Sequence, residues 1–406
     1  MIVWALGAVA GEGIEQGGSI ACIVFALVLW TRLEKTPDLR RFALAALLLA
    51  LWQAVSPAFA LLNGAARVWP KSGRYGQILD TLAPAALGAL TSVAVPWGAI
   101  LLALAVGWTI STALGVYQHF VRWPFAQPWF LKTPVARVQE SFSASGPPRY
   151  GAGGLLFHRL RFAHGAVALL GLSLTQIFCA RKAWARAAAA LLTVFLVADI
   201  YLSFARAALV AAVLLLALAF LLLGRGWQRA GVFAAVALVL IASLSPEWRL
   251  RLVKAEQNIF EERRLSMQVG MLLVREHPLV GVGFGNHQDA AWATQAQTGV
   301  TPLLSIDSHD LWLTSWVETG LVGLALTIAY HALLGLALWR RFRAGSWAAS
   351  AGLLSFAGFH LLSLVHYLQH HTGVYLTFSL LWGLGLQGEP KAQGTSPAGS
   401  TARGDS

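Results

Sequence analysis

Apolar runs of about 16–25 residues recur along nearly the whole chain, each about long enough to cross a hydrocarbon core of about 30 Å as a helix. A soluble protein of 406 residues would instead show amphipathic stripes, with polar residues on the opposite face of each helix. The composition agrees: 57% of the residues are hydrophobic and only 12% charged, with a mean hydropathy of +0.62. The expected fold is therefore all-α, a polytopic integral membrane protein. No cleavable signal peptide stands out, because Met1 to Ala10 is short, uncharged and followed by Glu12 and Glu15.

Spans are expected near 18–31, 42–62, 78–94, 97–118, 158–180, 187–203, 207–223, 230–245, 309–338, 347–366 and 373–388. Short basic hairpins separate several of them: Arg32, Lys35, Arg40 and Arg41; Arg181, Lys182 and Arg186; Arg225 and Arg229; Arg340, Arg341 and Arg343. Excess lysine and arginine mark cytoplasmic loops, and these four clusters alternate consistently with the spans. On that map the segments 63–77, 119–157 and 246–308 face outward and the C-terminal tail faces the cytoplasm. The piece Met1–Ala10 reads either as the remnant of a twelfth helix or as a sign that the start lies upstream, so 11–12 transmembrane helices are expected. Residues 1–388 form the transmembrane domain. Residues 389–406, rich in Gly, Ser, Thr and Ala, form a disordered tail.

Neither cysteine, Cys22 or Cys179, has a partner spacing that suggests a disulfide or a metal site, and both read as packing residues. Asp307 and Asp310 lie three apart without further oxygen ligands nearby, so no metal centre is expected.

Three stretches carry polar chemistry toward the outer side. Ser203-Phe204-Ala205-Arg206 is a tight turn between two spans, placing Arg206 at the head of a descending helix. An arginine there either snorkels to the headgroups or serves an anionic partner. In the long outer segment, Phe260–His277 reads as a helix stopped by Pro278, with Arg263 and Arg264 in its first turns and Arg275 near its end. Gly281, Gly283 and Gly285 then alternate, suggesting a tightly turned segment with close backbone approach. Their spacing is not that of a dinucleotide fingerprint.

The third stretch is SIDSHDLWLTSWVETGLVG, from Ser305 to Gly323. His309, flanked by Asp307 and Asp310, stands at the mouth of an apolar helix. Asp307 or Asp310 either orients the imidazole or caps the helix. Gly320 and Gly323 permit close helix contact. Glu318, about 13 Å further along the helix axis, is expected to face the bundle interior and to need a partner such as Ser315, Thr314 or Tyr201. His366, His370 and His371 read as interfacial. His158 and His164, flanking Arg159 and Arg161, border the same outer region.

The order of these stretches, SxxR, then HPLVGVGFGN after an arginine-led helix, then SHDLWLTSWVETGLVG, resembles the O-antigen ligase and polymerase superfamily of bacterial envelope glycosyltransferases. Members often carry (D/E)HPxxGxGxxN followed by HNxxLxxxxExGxxG. Here Asp310 replaces the usual Asn. The motif-bearing likeness covers roughly residues 150–325.

The resemblance implies a metal-independent, inverting transfer of a glycan from undecaprenyl diphosphate at the periplasmic face of the bacterial inner membrane. The long outer segment would be a helical periplasmic loop. By family analogy Arg206 and Arg264 hold the donor diphosphate and His309 activates the acceptor hydroxyl. Asp307, Asp310, Arg263, Arg275, Arg161 and Glu318 are supporting candidates. No cofactor, metal or nucleic acid is expected, and the acceptor is lipid A-core or a growing glycan. Ligase is the first reading and polymerase the second. Protein O-oligosaccharyltransferase is less favoured because the C-terminus is short, and a lipid-linked oligosaccharide transporter because no internal repeat is evident.

Overall fold

The computed structural model describes residues 12–33, 35–66, 69–70, 75–91, 97–122, 147–224, 237, 245–249, 256–294 and 308–387. Its helices are α1 (Glu12–Leu29), α2 (Pro37–Leu62), α3 (Tyr75–Leu90), α4 (Trp97–Phe120), α5 (Arg159–Cys179), α6 (Ala183–Leu202) and α7 (Arg206–Leu223). They continue with α8 (Glu256–Glu276), α9 (His287–Ala293), α10 (Leu311–Arg343), α11 (Trp347–Ser363) and α12 (Thr372–Gln387). All but α8 and α9 coincide with expected spans, and those two lie in the expected helical outer segment. Most of the expected span 230–245, Met1–Ala10, Asp307 and the tail 389–406 lie outside the described residues.

Among the described residues, six helices are long and apolar enough to cross a membrane: α2, α4, α5, α6, α7 and α10. Shorter apolar helices fall within α1, α11 and α12. The chain is an all-α, multi-pass membrane protein.

Local signals set the helix ends. Thr36 caps α2 by accepting the Leu39 N–H at 3.2 Å, and Pro37 supplies a first residue already fixed near helical φ. Ser346 caps α11 in the same manner, through the Ala349 N–H at 3.3 Å. Where α2 begins and α10 ends, Arg340 pairs with Asp38 at 2.6 Å.

The bundle packs α5 against α6 and α11, α11 against α12, α12 against α3, and α10 against α2. Lipid chains are as apolar as leucine, so helix association in a membrane depends on close packing rather than on water exclusion. The α5–α11 contact shows this, since a Cβ on Gly171 would come within 2.8 Å of the Ser355 nitrogen. Trp108, Trp382, Tyr330, Tyr375, Phe162 and Phe359 fill the interior. The buried Asp199 ties α6 to α4 by accepting from Trp108 Nε1 at 2.8 Å and Thr112 Oγ1 at 2.7 Å. Leu44, Leu48 and Leu51 on α2, and Leu102, Val106 and Ile110 on α4, are exposed along the outer faces of their helices. Such stripes suit lipid contact. Cys22 is buried, but Cys179 is exposed at the end of α5, so only the first of the two is a packing residue.

Candidate functional site

The site begins with a broken helix. α10 is interrupted at Gly320, whose φ of 65° and ψ of −171° are not helical. A break strands backbone N–H and C=O groups, which must find partners inside a membrane protein. The segment 278–282 supplies them. Pro278 O accepts the Leu321 N–H at 2.9 Å, Leu279 O accepts the Val322 N–H at 3.4 Å, and the Val282 N–H donates to Val317 O at 2.9 Å. Trp316 Nε1 adds a bond to Pro278 O at 3.1 Å, and Trp52 Nε1 reaches Thr319 O at 2.8 Å from α2.

The alternating glycines make this docking possible. Gly281, Gly283 and Gly285 all have positive φ, as the tight turn requires. A Cβ on Gly281 would approach Val317 O and Gly320 N to 2.5 and 2.6 Å. Gly283 faces Pro57 within α2, and Ser56 Oγ accepts the Phe284 N–H at 3.2 Å. Thus HPLVGVGFG fastens α8 to both α10 and α2. Gly320 is the point of fracture rather than a helix-contact glycine, whereas Gly323 does lie against Trp52.

Fixing α8 fixes what faces His309. Val269, Leu273 and Val274 of α8 pack with Val282, Leu313 and Val317. Ser308 is held by its N–H to Thr314 Oγ1 at 3.3 Å and by its hydroxyl to His287 Nε2 at 3.0 Å. His309 follows with φ at 54°, in the left-handed region. That conformation costs a non-glycine residue about 1–2 kcal/mol and persists only where the surroundings impose it. Asp310 is the N-cap of α10, its Oδ1 accepting the Leu313 N–H at 2.8 Å. Burial raises its carboxyl above the usual range, against the opposing effect of the Leu313 and Trp312 N–H groups.

A cavity of about 810 Å³ opens beside His309. Arg263, Arg264, Gln268 and Arg275 of α8 line it, with Ser308, His309 and Asp310 facing them. Met267, Met271 and Leu272, together with Leu364 and Val365 from the α11–α12 turn, give it apolar walls. Arg206 does not line the cavity but lies within electrostatic reach of Arg263, whose guanidinium is lowered first by burial and then by that like charge.

Five of the residues singled out in the sequence, Arg263, Arg264, Arg275, His309 and Asp310, therefore share one cavity, and Arg206 adjoins it. Arg161 does not line it. It sits in the first turn of α5, its N–H donating to His158 Nδ1 at 3.4 Å. Glu318 is buried in α10 two residues before the break, also off the cavity wall. Of its suggested partners, Tyr201 gives its hydroxyl to Ser245 at 3.1 Å and Thr314 bonds Ser308.

His366, read from the sequence as interfacial, is nearer than expected. Its ring centroid lies 6.4 Å from that of His309, edge to face, and 4.9 Å from that of the buried His164. The hint was its place in the turn after α11, beside the two residues that close the cavity.

A backbone pattern repeats at this end of the molecule. Phe157, Phe204 and His309 are the non-glycine residues with positive φ among those described. Each is followed by an extended N-cap, namely His158, Ala205 or Asp310, and then by the first residue of α5, α7 or α10. Arg159 and Arg206 thus occupy first helical positions. There the macrodipole disfavours cations and the free N–H groups favour anions. The His158 imidazole is pushed down to about 3, chiefly by burial and then by Arg161, His371 and Arg159.

Compared with known proteins, residues 191–328 match a family model described as O-antigen ligase. No curated protein sequence matches the chain. The matched stretch holds Arg206, Arg263, Arg264, Arg275, His309 and Glu318, and with them the whole of the glycine turn and the break in α10.

Proposed function

We propose, from the match of residues 191–328 to the O-antigen ligase family model, that this protein is a membrane glycosyltransferase that transfers a glycan from undecaprenyl diphosphate to lipid A-core. The reaction is placed at the periplasmic face of the bacterial inner membrane. The observation that carries this reading is the cavity itself, which His309 lines together with Arg263 and Arg264.

In this mechanism Arg264 and Arg206, with Arg263 beside Arg264 on α8, bind the donor diphosphate. Guanidinium forks match phosphate oxygens and keep their charge at any working pH. His309 accepts the proton of the acceptor hydroxyl, a task suited to an imidazole. The freed oxygen attacks the anomeric carbon from the face opposite the diphosphate. The new glycosidic bond forms as the C–O bond to phosphate breaks, so the configuration inverts. Undecaprenyl diphosphate leaves with the electron pair, and the arginines neutralise its growing charge. Fixed donors at that position act without reorganisation, which favours the transition state over the bound substrate. Asp310 holds the start of α10, and Arg275 lines the far part of the cavity along the same helix as Arg264. The apolar bundle faces suit the polyprenyl tail and surrounding lipids.

The test is purified protein incubated with a lipid-linked glycan and lipid A-core. Product on lipid A-core, lost in His309→Ala and Arg264→Ala variants that remain folded, supports ligation. A ladder of lipid-linked oligomers would replace it with polymerisation. Movement of the donor across a vesicle bilayer without any transfer would replace both with transport.

A further inference from the structure

We propose that His366 is the positioning residue for His309, holding the base in its working orientation and accepting a hydrogen bond, directly or through one water, from its protonated ring. This rests on the reading of His309 as the base. A catalytic base needs a third group to fix its ring plane and tautomer. The sequence offered Asp307 and Asp310 for that task. Asp310 Oδ1 is committed to the Leu313 N–H as the cap of α10, and Asp307 lies outside the described residues.

Among the described residues, the α11–α12 turn brings a ring to His309. The His366 ring stands edge to face with His309 at 6.4 Å between centroids, the two rings inclined at 86°. Leu364 and Val365, just before it, form part of the cavity wall, so the turn that carries His366 also shapes the space the acceptor enters. Behind it, His164 of α5 is 1% exposed and packs 4.9 Å from the His366 ring. Neither ring nitrogen of His164 has a hydrogen-bond partner among the described residues. The three rings thus form a file from the cavity into the bundle.

The neighbours of this file of rings are mostly basic. Arg159, His158 and His371 lie, with His366, within electrostatic reach of His164. On the cavity side Arg263, Arg264 and Arg275 line the space with His309 and Asp310. A neutral imidazole has one nitrogen free to accept, which is what a protonated His309 requires.

The experiment compares full-length wild type with His309→Ala, His366→Ala and His366→Gln. It uses lipid bilayer discs, a lipid-linked glycan donor and lipid A-core, over pH 5 to 9. The expected result for His366→Ala is a fall in kcat of about 10–100-fold, the scale of a misplaced catalytic group. The donor KM should stay within about twofold, because the arginines are untouched. The acid limb of the rate profile should move to lower pH. Glutamine, which can still accept a hydrogen bond, should restore at least about a tenth of the wild-type rate. Folding is followed by thermal unfolding, and His366→Gln serves if His366→Ala fails to fold.

Wild-type kcat and an unmoved acid limb in a folded His366 variant would overturn the positioning role while leaving the base intact. An active His309→Ala would overturn the base reading itself. A loss confined to donor KM would also overturn the proposal, placing His366 in donor binding.

Discussion

Gly281 and Gly320 meet across the break in α10, and neither has room for a side chain. A Cβ on Gly281 would lie 2.6 Å from the Gly320 nitrogen, and a Cβ on Gly320 would strike the Leu279 carbonyl. Both residues have positive φ, at 74° and 65°. The pair makes the broken helix and the docked turn one structure, and so fixes the distance between α8 and His309.

Gly281→Ala and Gly320→Ala should each destabilise the protein by about 2 kcal/mol or more, combining left-handed strain with a backbone clash. Transfer activity should fall with the misplacement of α8. Gly17→Ala, at a position with nothing within 4 Å, is the control and should be neutral or stabilising. Thermal unfolding in detergent ranks the three. A Gly281→Ala protein as stable and active as Gly17→Ala would remove the turn from its fastening role.

Asp310 offers a prediction with a pH sign. Burial raises its carboxyl, so the folded protein holds that proton more tightly than the unfolded chain does. Ionised Asp310 therefore costs stability above its folded value, and the cost fades as pH falls toward the unfolded value. Asp310→Asn keeps an oxygen for the Leu313 N–H and carries no charge. It should be at least as stable as wild type at pH 7 and remain active, in keeping with the Asn usual in the resembling motif. Asp310→Ala should lose about 1 kcal/mol with the cap. An inactive but folded Asp310→Asn would give the carboxylate a part in the chemistry.

The helices were legible because hydropathy and span length report directly on a bilayer solvent, and every span within the described residues has its helix. The line from Arg264 to His309 was also legible, since residue type, order and the glycine turn all lay in one stretch of sequence. Three features were not. The fracture at Gly320 hides because Thr319-Gly320-Leu321 reads equally as a small-residue contact, and only the docked segment shows that the freed N–H groups have partners elsewhere. Asp310 had two possible tasks that differ by the rotation of one side chain. His366 lies 57 residues after His309, and only the packing of α11 against α10 and α5 brings their rings together.

Metal removal is a further test. In the proposed reaction Arg206, Arg263 and Arg264 offer fixed positive charge for the leaving diphosphate, the task a divalent ion performs elsewhere. Among the described residues no three His, Cys, Asp or Glu side chains are grouped to hold a metal. EDTA should leave the transfer rate within about twofold of the untreated enzyme, the scatter expected of such a comparison. Strong inhibition, reversed by Mg²⁺, would contradict a reaction run on arginines alone.

Arg206 and Arg263 provide the last prediction, because they repel. Burial and the Arg206 charge both lower Arg263, so two like charges stand within electrostatic reach in a partly dry setting. A diphosphate bound between them turns that repulsion into shared attraction. Inorganic pyrophosphate, the headgroup of the proposed leaving product, should therefore stabilise the wild-type protein against heat. The gain grows as RT ln(1 + [L]/Kd) and reaches about 2.7 kcal/mol at a hundredfold excess over Kd. Arg263→Ala and Arg206→Ala should each raise the unliganded unfolding temperature or leave it unchanged, and should weaken the pyrophosphate effect at least about tenfold, as expected for a charge-assisted contact. The gain should also shrink between 50 and 500 mM salt as screening shortens the reach of the charges. Equal stabilisation of the wild type and both variants by pyrophosphate would place the anion elsewhere and separate these arginines from the donor.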